Sequence, residues 1–304
     1  MSVISTAMHS GYVALVGRPN VGKSSLLNTM LGQQIAPVTP RPQTTRRNQL
    51  GILSVEGAQI VFLDTPGIHK PVNKLGTFMN EEAENAIRDA DILALLVDIS
   101  QVPKTEDIIV AERLKAIKSD KPCILIGNKA DLVPSDRLGQ ALEPLARLFE
   151  CSSRILVSAV SGWHVDELLS LLIKILPEGE SFYDHEQLTD LYERDIAADL
   201  IRAACLRRLR EEVPYSIAVR MDTYNERANG VIYIEATIFV EKESQKGIVI
   251  GSGGMMLKEI GKDARLTIEE MTACQVYLDL RVKVEKNWRN DINALKRFGY
   301  RSDR

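Results

Sequence analysis

A glycine-rich segment of this 304-residue sequence, GRPNVGKSS at Gly17–Ser25, combines residue types that bind phosphate groups and a divalent metal. It fits the pattern G-x-x-x-x-G-K-[ST] in full, directly after an apolar run and before a helical pattern. In such a loop backbone N–H groups turn toward phosphates, Lys23 reaches the β- and γ-phosphate oxygens, and the Ser24 hydroxyl binds Mg²⁺. A helix that begins there also turns its positive dipole end to the anion. The residues predicted to bind nucleotide here are Gly17, Arg18, Pro19, Asn20, Val21, Gly22, Lys23, Ser24 and Ser25.

A second segment, NKAD at 128–131, indicates which base is bound. Asp131 can accept two hydrogen bonds from guanine N1–H and N2–H₂, whereas adenine offers no such pair and would leave the carboxylate unpaired. We expect Lys129 to lie along the base and Asn128 to tie this loop to others. Ser158 and Ala159, in the short segment SAV, fit a last loop whose backbone touches guanine, although this motif is weak alone.

Two further loops are expected around the γ-phosphate. Asp64 opens the segment DTPG and is placed to hold Mg²⁺ through water, and the Gly67 N–H is placed to sense the γ-phosphate. In the loop TPRPQTTRRN a threonine can complete the Mg²⁺ shell when GTP is bound, and we favour Thr45 over Thr44. The predicted metal ligands are therefore Ser24, Thr45 and Asp64. The nucleotide-binding residues predicted in the DTPG loop are Asp64, Thr65, Pro66, Gly67 and Ile68.

Short apolar runs alternate with helical patterns through the first half of the chain, and the loops lie between them. This alternation predicts an α/β fold with a mostly parallel sheet covered on both faces. Each polar segment described above follows an apolar run. Because ligands gather at the carboxyl ends of parallel strands, the loops are expected to meet at one edge of the sheet.

The second half of the chain follows a different order. A Pro- and Gly-containing acidic stretch within 176–190 indicates a linker. The patterns after it run α-β-β-α-α-β, with both later helices, around 255–260 and 264–272, placed after a second glycine loop. These patterns predict a small α+β domain.

The second glycine loop, GSGG at Gly251–Gly254, lacks the Lys-Ser pair that a Mg-nucleotide needs. It fits the G-x-x-G of KH domains, which clamps the backbone of about four nucleotides of single-stranded RNA. A helix cap or tight turn is the structural alternative. Many KH loops carry a basic residue where this one has Ser252, so phosphate attraction must come from backbone amides and flanking lysines. The predicted RNA-binding residues are Lys246, Ile250, Gly251, Ser252, Gly253, Gly254, Lys258 and Lys262.

Composition limits the remaining possibilities. The net charge of −3 gives no global basic field, but 281–301 holds seven basic residues against Glu285 and Asp291. Four scattered cysteines form no CxxC pair, so we expect neither a metal cluster nor a disulfide framework, and a reducing compartment is the default. The N-terminus has no signal-peptide pattern, and no apolar run approaches the ~20 residues that span a bilayer.

Taken in order, GRPNVGKS, QTTR, DTPG, NKAD and SA, followed by the second domain, resemble the Era family of bacterial GTPases over nearly the whole chain. The resemblance implies a P-loop G domain followed by a type II KH domain, with limits of 1–178, a linker at 179–190, and 191–304 including a basic tail. It also implies hydrolysis of GTP to GDP with Mg²⁺, binding of the 3′ end of 16S ribosomal RNA in 30S subunit maturation, and a cytoplasmic protein peripherally associated with the membrane. A monomer is expected.

The predicted catalytic residues are Lys23, Thr45, Gly67 and Asn20. Ras-like enzymes orient the attacking water with a Gln just after the DxxG glycine, but this sequence has Ile68 there. We therefore expect slow intrinsic hydrolysis. In related GTPases an Asn at the position of Asn20 ligates K⁺, which suggests the same role here, although Asn20 could instead brace the loop. His69 lies near the water position, but an exposed loop histidine is the expectation.

Two other functions stay open at this point. A GTPase that drives another enzyme's RNA chemistry would need a second catalytic constellation, which the sequence does not show. A metabolic P-loop kinase is disfavoured by NKAD and by the lack of a lid-like Arg cluster. Competition of labelled GTP by ATP and GDP separates these classes.

Overall fold

The computed structural model describes residues 8–118 and 120–300, so the first residues of the chain and the last of the predicted basic residues, Arg301, lie outside the described part. By packing, the chain divides into two compact units. The first extends to Ala36 and includes Thr45–Pro71 and Met79–Asp190. The second holds Pro37–Thr44, Val72–Phe78 and the chain from Leu191 onward. Packing thus assigns two segments of the first half of the sequence to the second unit.

The first unit is built on a six-stranded sheet flanked by helices. The strand order is β2-β3-β1-β4-β5-β6, and only β2 runs antiparallel to its neighbour. The strands are β1 (His9–Val16), β2 (Gln49–Val55), β3 (Ala58–Asp64), β4 (Ile92–Asp98), β5 (Cys123–Asn128) and β6 (Ser153–Leu156). The helices are α1 (Lys23–Leu31), α2 (Lys74–Asp89), α3 (Thr105–Ile117), α4 (Leu138–Ala146) and α5 (Val165–Ile175). The start of α2, up to Phe78, is grouped with the second unit and the rest of this helix with the first. The predicted α/β class with a mostly parallel sheet is confirmed.

The apolar runs are continuous because both faces of the sheet are buried. In β1, Val13 and Leu15 belong to the core cluster beneath α1 and α5. The alternate residues Ala14 and Val16 belong to the cluster on the opposite face. Side chains of a strand alternate between faces, so a strand covered on both sides must be apolar at every position. The sheet edge that carries the loops is held from both faces in this way.

One expectation about the cysteines is wrong. Cys123 and Cys151 form a disulfide, and their Cα atoms are 4.7 Å apart. Cys123 begins β5, and Cys151 lies two residues before β6, which pairs with β5 in register from Ile124 and Ser153. The two cysteines are 28 residues apart in the sequence. They come close together because β5 and β6 lie side by side, which the cysteine spacing alone does not indicate.

The segment predicted as a linker is bound to the first unit. The Gln59 side chain accepts hydrogen bonds from the backbone N–H groups of Phe182 (2.7 Å) and Tyr183 (3.0 Å). Its amide donates to the Tyr183 carbonyl at 2.8 Å. Farther along, the Ile52 N–H donates to the Leu188 carbonyl at 2.8 Å. The segment predicted as a linker therefore packs against the first unit as far as Asp190.

The second unit contains α6 (Glu193–Arg208), β7 (Ala218–Glu226), β8 (Val231–Val240), α7 (Glu243–Ile250), α8 (Met255–Thr272), β9 (Gln275–Val284) and α9 (Ile292–Arg297). The sheet order is β7-β8-β9, with β7 antiparallel and β9 parallel to β8. This is the predicted α-β-β-α-α-β order, followed by one short extra helix. Among the described residues, none of the helices is long and apolar enough to cross a membrane.

The position of one helix differs from the prediction. The apolar run before the second glycine loop is the end of α7, and the two helical patterns after the loop are the single helix α8. Ile260, Ala264 and Ile268 are all fully buried. Their spacing of four places them on one face, which continues through the expected break at Gly261. One helix therefore lies on each side of the loop.

Candidate functional site

The first glycine loop connects β1 to α1, as its sequence pattern requires. Gly22, the residue before α1, has a φ of 101°, which disfavours any residue with a side chain. A Cβ at Gly22 would also lie 2.3 Å from the Asn128 side-chain nitrogen. Lys23 Nζ donates to the carbonyls of Gly17 (3.2 Å) and Arg18 (3.1 Å). Burial lowers the pKa of Lys23 to about 8, against the opposing effect of the Asp64 carboxylate, and phosphate charge would favour the ammonium form.

The predicted Mg²⁺ ligands meet in one cluster, in which Thr45 and Asp64 are buried and Ser24 is half-buried. Ser24 Oγ donates to Asp64 Oδ2 at 2.6 Å, and Thr45 Oγ1 donates to the same oxygen at 3.1 Å. The two hydroxyl oxygens are 2.9 Å apart. Asp64 Oδ1 is buried and has no hydrogen-bond partner among the described residues. Burial raises the pKa of Asp64 despite the nearby Lys23. A hard cation such as Mg²⁺ takes oxygen ligands of this kind, so the residues fit the metal.

Thr44, the alternative to Thr45, bonds elsewhere. Its hydroxyl lies 2.7 Å from that of Thr39 and donates to the Arg41 carbonyl at 2.9 Å. Thr45, unlike Thr44, has its hydroxyl within hydrogen-bond distance of Asp64, and its role as an Mg²⁺ ligand stays a prediction.

The predicted guanine loop is tied to the phosphate loop and to the last loop by Asn128. Its amide donates to the Val21 carbonyl at 2.8 Å, and its oxygen accepts from the Ala159 N–H at 3.0 Å. Asp131 is exposed, and its Oδ1 accepts a hydrogen bond from Ser158 Oγ at 2.6 Å. The carboxylate is thus oriented by Ser158 while its edge stays open to a base. The sequence assigned Ser158 only a backbone role.

Lys129 is held by a buried ion-pair network that sequence patterns do not show. Its Nζ lies 2.7 Å from Asp98 Oδ2, and Arg18 contacts both Asp98 (3.6 Å) and Asp107 (3.2 Å). Burial alone would raise the pKa of Asp98, but hydrogen bonds from Lys129 and Ser100 lower it overall. Asp98 is the last residue of β4. A carboxylate at a strand end, where ligands gather in such sheets, was the sequence feature that could have indicated this network. In this arrangement Lys129 spans from its loop to the end of a neighbouring strand.

The other predicted residues of the phosphate and DTPG loops have mainly structural contacts. Thr65 Oγ1 donates to the Leu15 carbonyl at 2.7 Å, and the Ser25 carbonyl accepts from Thr29 Oγ1 at 3.0 Å. Asn20 has a φ of 64°, a conformation that Asn tolerates well. Pro66 and Gly67 are buried, and Val21 lies in the core beneath α1.

His69 differs from its prediction as an exposed loop residue. Its side chain is partly buried, and Nδ1 lies 2.8 Å from the Gly67 carbonyl oxygen. The residue before it, Ile68, is 1% exposed and packs in the core of the first unit. The histidine ring therefore lies against the DTPG loop. The Ile68 side chain, by contrast, points into the core of the first unit.

The second glycine loop lies between α7 and α8, and Ser252–Gly254 form one tight turn. Gly253 has a φ of 58°, and a Cβ there would meet nothing within 4 Å. The turn borders a shallow groove of about 530 Å³ on α8 and β9. The residues lining this groove include Gly254, Leu257, Lys258, Lys262, Arg265 and Leu280.

Of the predicted RNA-binding residues, the structure brings Gly254, Lys258 and Lys262 together along this groove. Lys246 and Ile250 lie on α7 and are not among its lining residues. Arg265, two turns along α8 from Lys258, adds a cation that the sequence patterns missed. The positive charge beside the loop comes from one face of α8, where positions 258, 262 and 265 lie three or four residues apart.

A phosphate loop, an oxygen-ligand cluster and an Asp-containing base loop at one sheet edge define a P-loop GTPase. The α-β-β-α-α-β unit with its G-x-x-G turn defines a KH domain. Comparison with protein families agrees. A family described as "50S ribosome-binding GTPase" matches residues 12–129, and one described as "KH domain" matches residues 212–289.

Individual relatives cover almost the whole chain. GTPase Era of Ruminiclostridium cellulolyticum is 41% identical over 97% of this chain and 98% of its own, and that of Thermoanaerobacter sp. strain X514 is 42% identical over 97% of both. A crystal structure of Era with MgGDPNP and nucleotides 1506–1542 of 16S ribosomal RNA has a TM-score of 0.90, 37% identity, and coverage of 97% of this chain and 100% of that one. A second crystal structure, of a point variant of Aquifex aeolicus Era bound to GDP·AlF4⁻, has a TM-score of 0.91, 36% identity and the same coverage. The chain belongs to the Era family and is a GTPase.

Proposed function

We propose that this GTPase binds the 3′ end of 16S ribosomal RNA through residues 191–304 and acts in maturation of the 30S subunit, under the control of guanine nucleotide held by residues 1–178. The observation that carries the proposal is the G-x-x-G turn beside a groove with lysines on one helix face. The related Era structure, which covers 97% of this chain, was determined with a 16S RNA fragment and MgGDPNP.

For the nucleotide, we propose roles that follow from the contacts of each group. The Lys23 ammonium would exchange its two carbonyl acceptors for phosphate oxygens. Ser24 and Thr45 would hold Mg²⁺ directly, and Asp64 would hold it through water. When bound, the metal neutralises charge that develops on the phosphates. The Gly67 N–H would contact the γ-phosphate, so its loop would be released after hydrolysis.

The experiment that tests the RNA half of the proposal is titration of a labelled RNA that carries the 3′ end of 16S rRNA against the chain loaded with GDPNP. A shuffled RNA of the same length is the control for electrostatic, sequence-independent binding. We expect the 3′-end RNA to bind at least about tenfold more tightly, which corresponds to ~1.4 kcal/mol. Equal affinities for the two RNAs would contradict the proposal.

We propose that K⁺ accelerates hydrolysis through Asn20, since Ile68 cannot orient water by hydrogen bonding and is buried in the core. Replacing K⁺ by Na⁺ at equal ionic strength is expected to lower kcat by roughly tenfold or more, because stabilisation of transition-state charge is worth several kcal/mol. Asn20→Ala, which deletes the side-chain oxygen, should remove the difference between the two cations. Equal turnover of the wild-type chain in K⁺ and Na⁺ would exclude this role.

We propose that the protein is a cytoplasmic monomer that associates peripherally with the membrane. The supporting feature is the local excess of basic residues after β9, including the exposed Lys286 and Lys296, because such an excess attracts an anionic lipid surface. Sedimentation with anionic and with neutral vesicles tests the association. Absence of the protein from both pellets would contradict it.

A further inference from the structure

The hydrolysis reaction needs a group that orients the attacking water, and the residue at the usual position cannot supply it. Ile68 carries no polar atom on its side chain and is 1% exposed within the core. Its backbone N–H donates to the Gly17 carbonyl at 3.2 Å. The main chain at Ile68 is therefore bound to the phosphate loop, and the next side chain follows directly after this contact.

That next side chain belongs to His69, whose ring is oriented by one hydrogen bond. Nδ1 lies 2.8 Å from the Gly67 carbonyl oxygen. Because a carbonyl oxygen only accepts hydrogen bonds, Nδ1 must carry a proton, and in the neutral ring Nε2 then keeps a free lone pair. The geometry thus assigns the tautomer and makes Nε2 a hydrogen-bond acceptor.

The main chain of His69 is also fixed. The buried Asn80 side chain accepts from the His69 N–H at 3.2 Å and donates to the His69 carbonyl at 2.8 Å. On the other side, Gly67 approaches Pro19 so closely that a Cβ at Gly67 would lie 2.5–2.7 Å from Pro19 atoms. These contacts hold the histidine in one place relative to the phosphate loop.

Nε2 itself is buried and has no hydrogen-bond partner among the described residues. Buried polar atoms without a partner are uncommon in native structures, and each requires an explanation. We propose that His69 positions the attacking water, which donates a hydrogen bond to Nε2. His69 would thereby take over the role that the side chain at position 68 cannot fill, within the GTP hydrolysis that this family performs.

In this step the water oxygen forms a bond to the γ-phosphorus, and the bond from that phosphorus to the β–γ bridging oxygen breaks. The bridging oxygen leaves with the electron pair as part of GDP, and the protons of the water pass to the released phosphate and to solvent. His69 aligns the water and returns unchanged, so it need not retain a proton.

Two amide substitutions separate the two ring nitrogens. His69→Asn keeps a polar group near the position of Nδ1, whereas His69→Gln keeps one near the position of Nε2. If Nε2 positions the water, His69→Asn is expected to lower kcat by roughly 10²-fold, similar to removal of one preorganised hydrogen bond in other sites. His69→Gln should retain kcat within about threefold. The KM for GTP should stay unchanged in both, because the proposed contact is made to water.

His164→Asn is the matched control, since His164 lies at the start of α5, stacked on Trp163 at 3.6 Å. It should turn over GTP like the wild type. Affinity for GDPNP, measured in all variants, separates a loss of water positioning from a loss of folding or of nucleotide binding. Wild-type turnover in His69→Asn, or an equal fall in His69→Asn and His69→Gln, would overturn the proposal. If the wild type did not hydrolyse GTP, that result would contradict the GTPase activity itself, on which the His69 proposal rests.

Discussion

Asp131→Asn is expected to lower the affinity for GTP by roughly 10²–10⁴-fold, because each of two hydrogen bonds to a charged group is worth about 1.5–3 kcal/mol. The Asp131 carboxylate can accept from both N–H groups of the guanine edge, whereas an amide offers one acceptor and places an N–H against a donor. Ser158 Oγ already binds one carboxylate oxygen at 2.6 Å, so the orientation of the group is set before the base arrives.

The same substitution should raise the affinity for xanthosine triphosphate, whose carbonyl at position 2 accepts a hydrogen bond from the Asn amide. Equilibrium titration with both fluorescent nucleotides measures the exchange. Asp136→Asn, on an exposed turn of the same unit, should leave both affinities unchanged. If Asp131→Asn bound GTP like the wild type, another group would have to select the base.

Gly253→Asp is expected to lower the affinity for the 3′-end RNA by about 100-fold, which corresponds to ~2.7 kcal/mol. The substituted side chain would place a carboxylate where the phosphates of the RNA approach the loop. It would also offset the charge of Lys258 and Lys262 on the neighbouring helix face. The fold should tolerate the change, because space around position 253 is open and Asp adopts positive φ more readily than most residues.

Gly230→Asp is the matched control for this variant. Gly230 also has positive φ, 75°, and a Cβ there would meet nothing within 4 Å, but it lies in the turn between β7 and β8. Both variants should bind GTP and unfold thermally like the wild type, while only Gly253→Asp loses RNA. Equal RNA affinity of the two variants would mean that the turn is not the clamp.

The sequence predicted those parts of the site that are carried by contiguous segments. The phosphate loop, the DTPG loop and the guanine loop each combine residue types that together are typical of guanine-nucleotide binding. The alternation of strands and helices places all three loops at one edge of the sheet. Ser24 lies just after the loop that follows β1, Asp64 ends β3, and Thr45 lies in the loop between α1 and β2. The three side chains nevertheless meet within hydrogen-bond distance.

What the sequence could not predict depends on contacts between distant residues. The ion pairs of Asp98 with Arg18 and Lys129 and the Cys123–Cys151 disulfide exist only after strands pair. The single helix α8 was predicted as two helices, around 255–260 and 264–272, whereas burial of one continuous face keeps it whole. The prediction that His69 is exposed was also wrong: its side chain is partly buried. Its main chain is bound by Asn80, a residue of α2 that lies 11 positions away in the sequence.

We propose that guanine nucleotide bound by residues 1–178 controls RNA binding by residues 191–304. The direct measurement is the dissociation constant of the labelled 3′-end RNA for the chain loaded with GDPNP and for the chain loaded with GDP. We expect the two constants to differ by at least about fivefold, and the RNA to change the relative affinity for GDPNP and GDP by the same factor, as linkage requires. Equal RNA affinity in the two nucleotide states would contradict it.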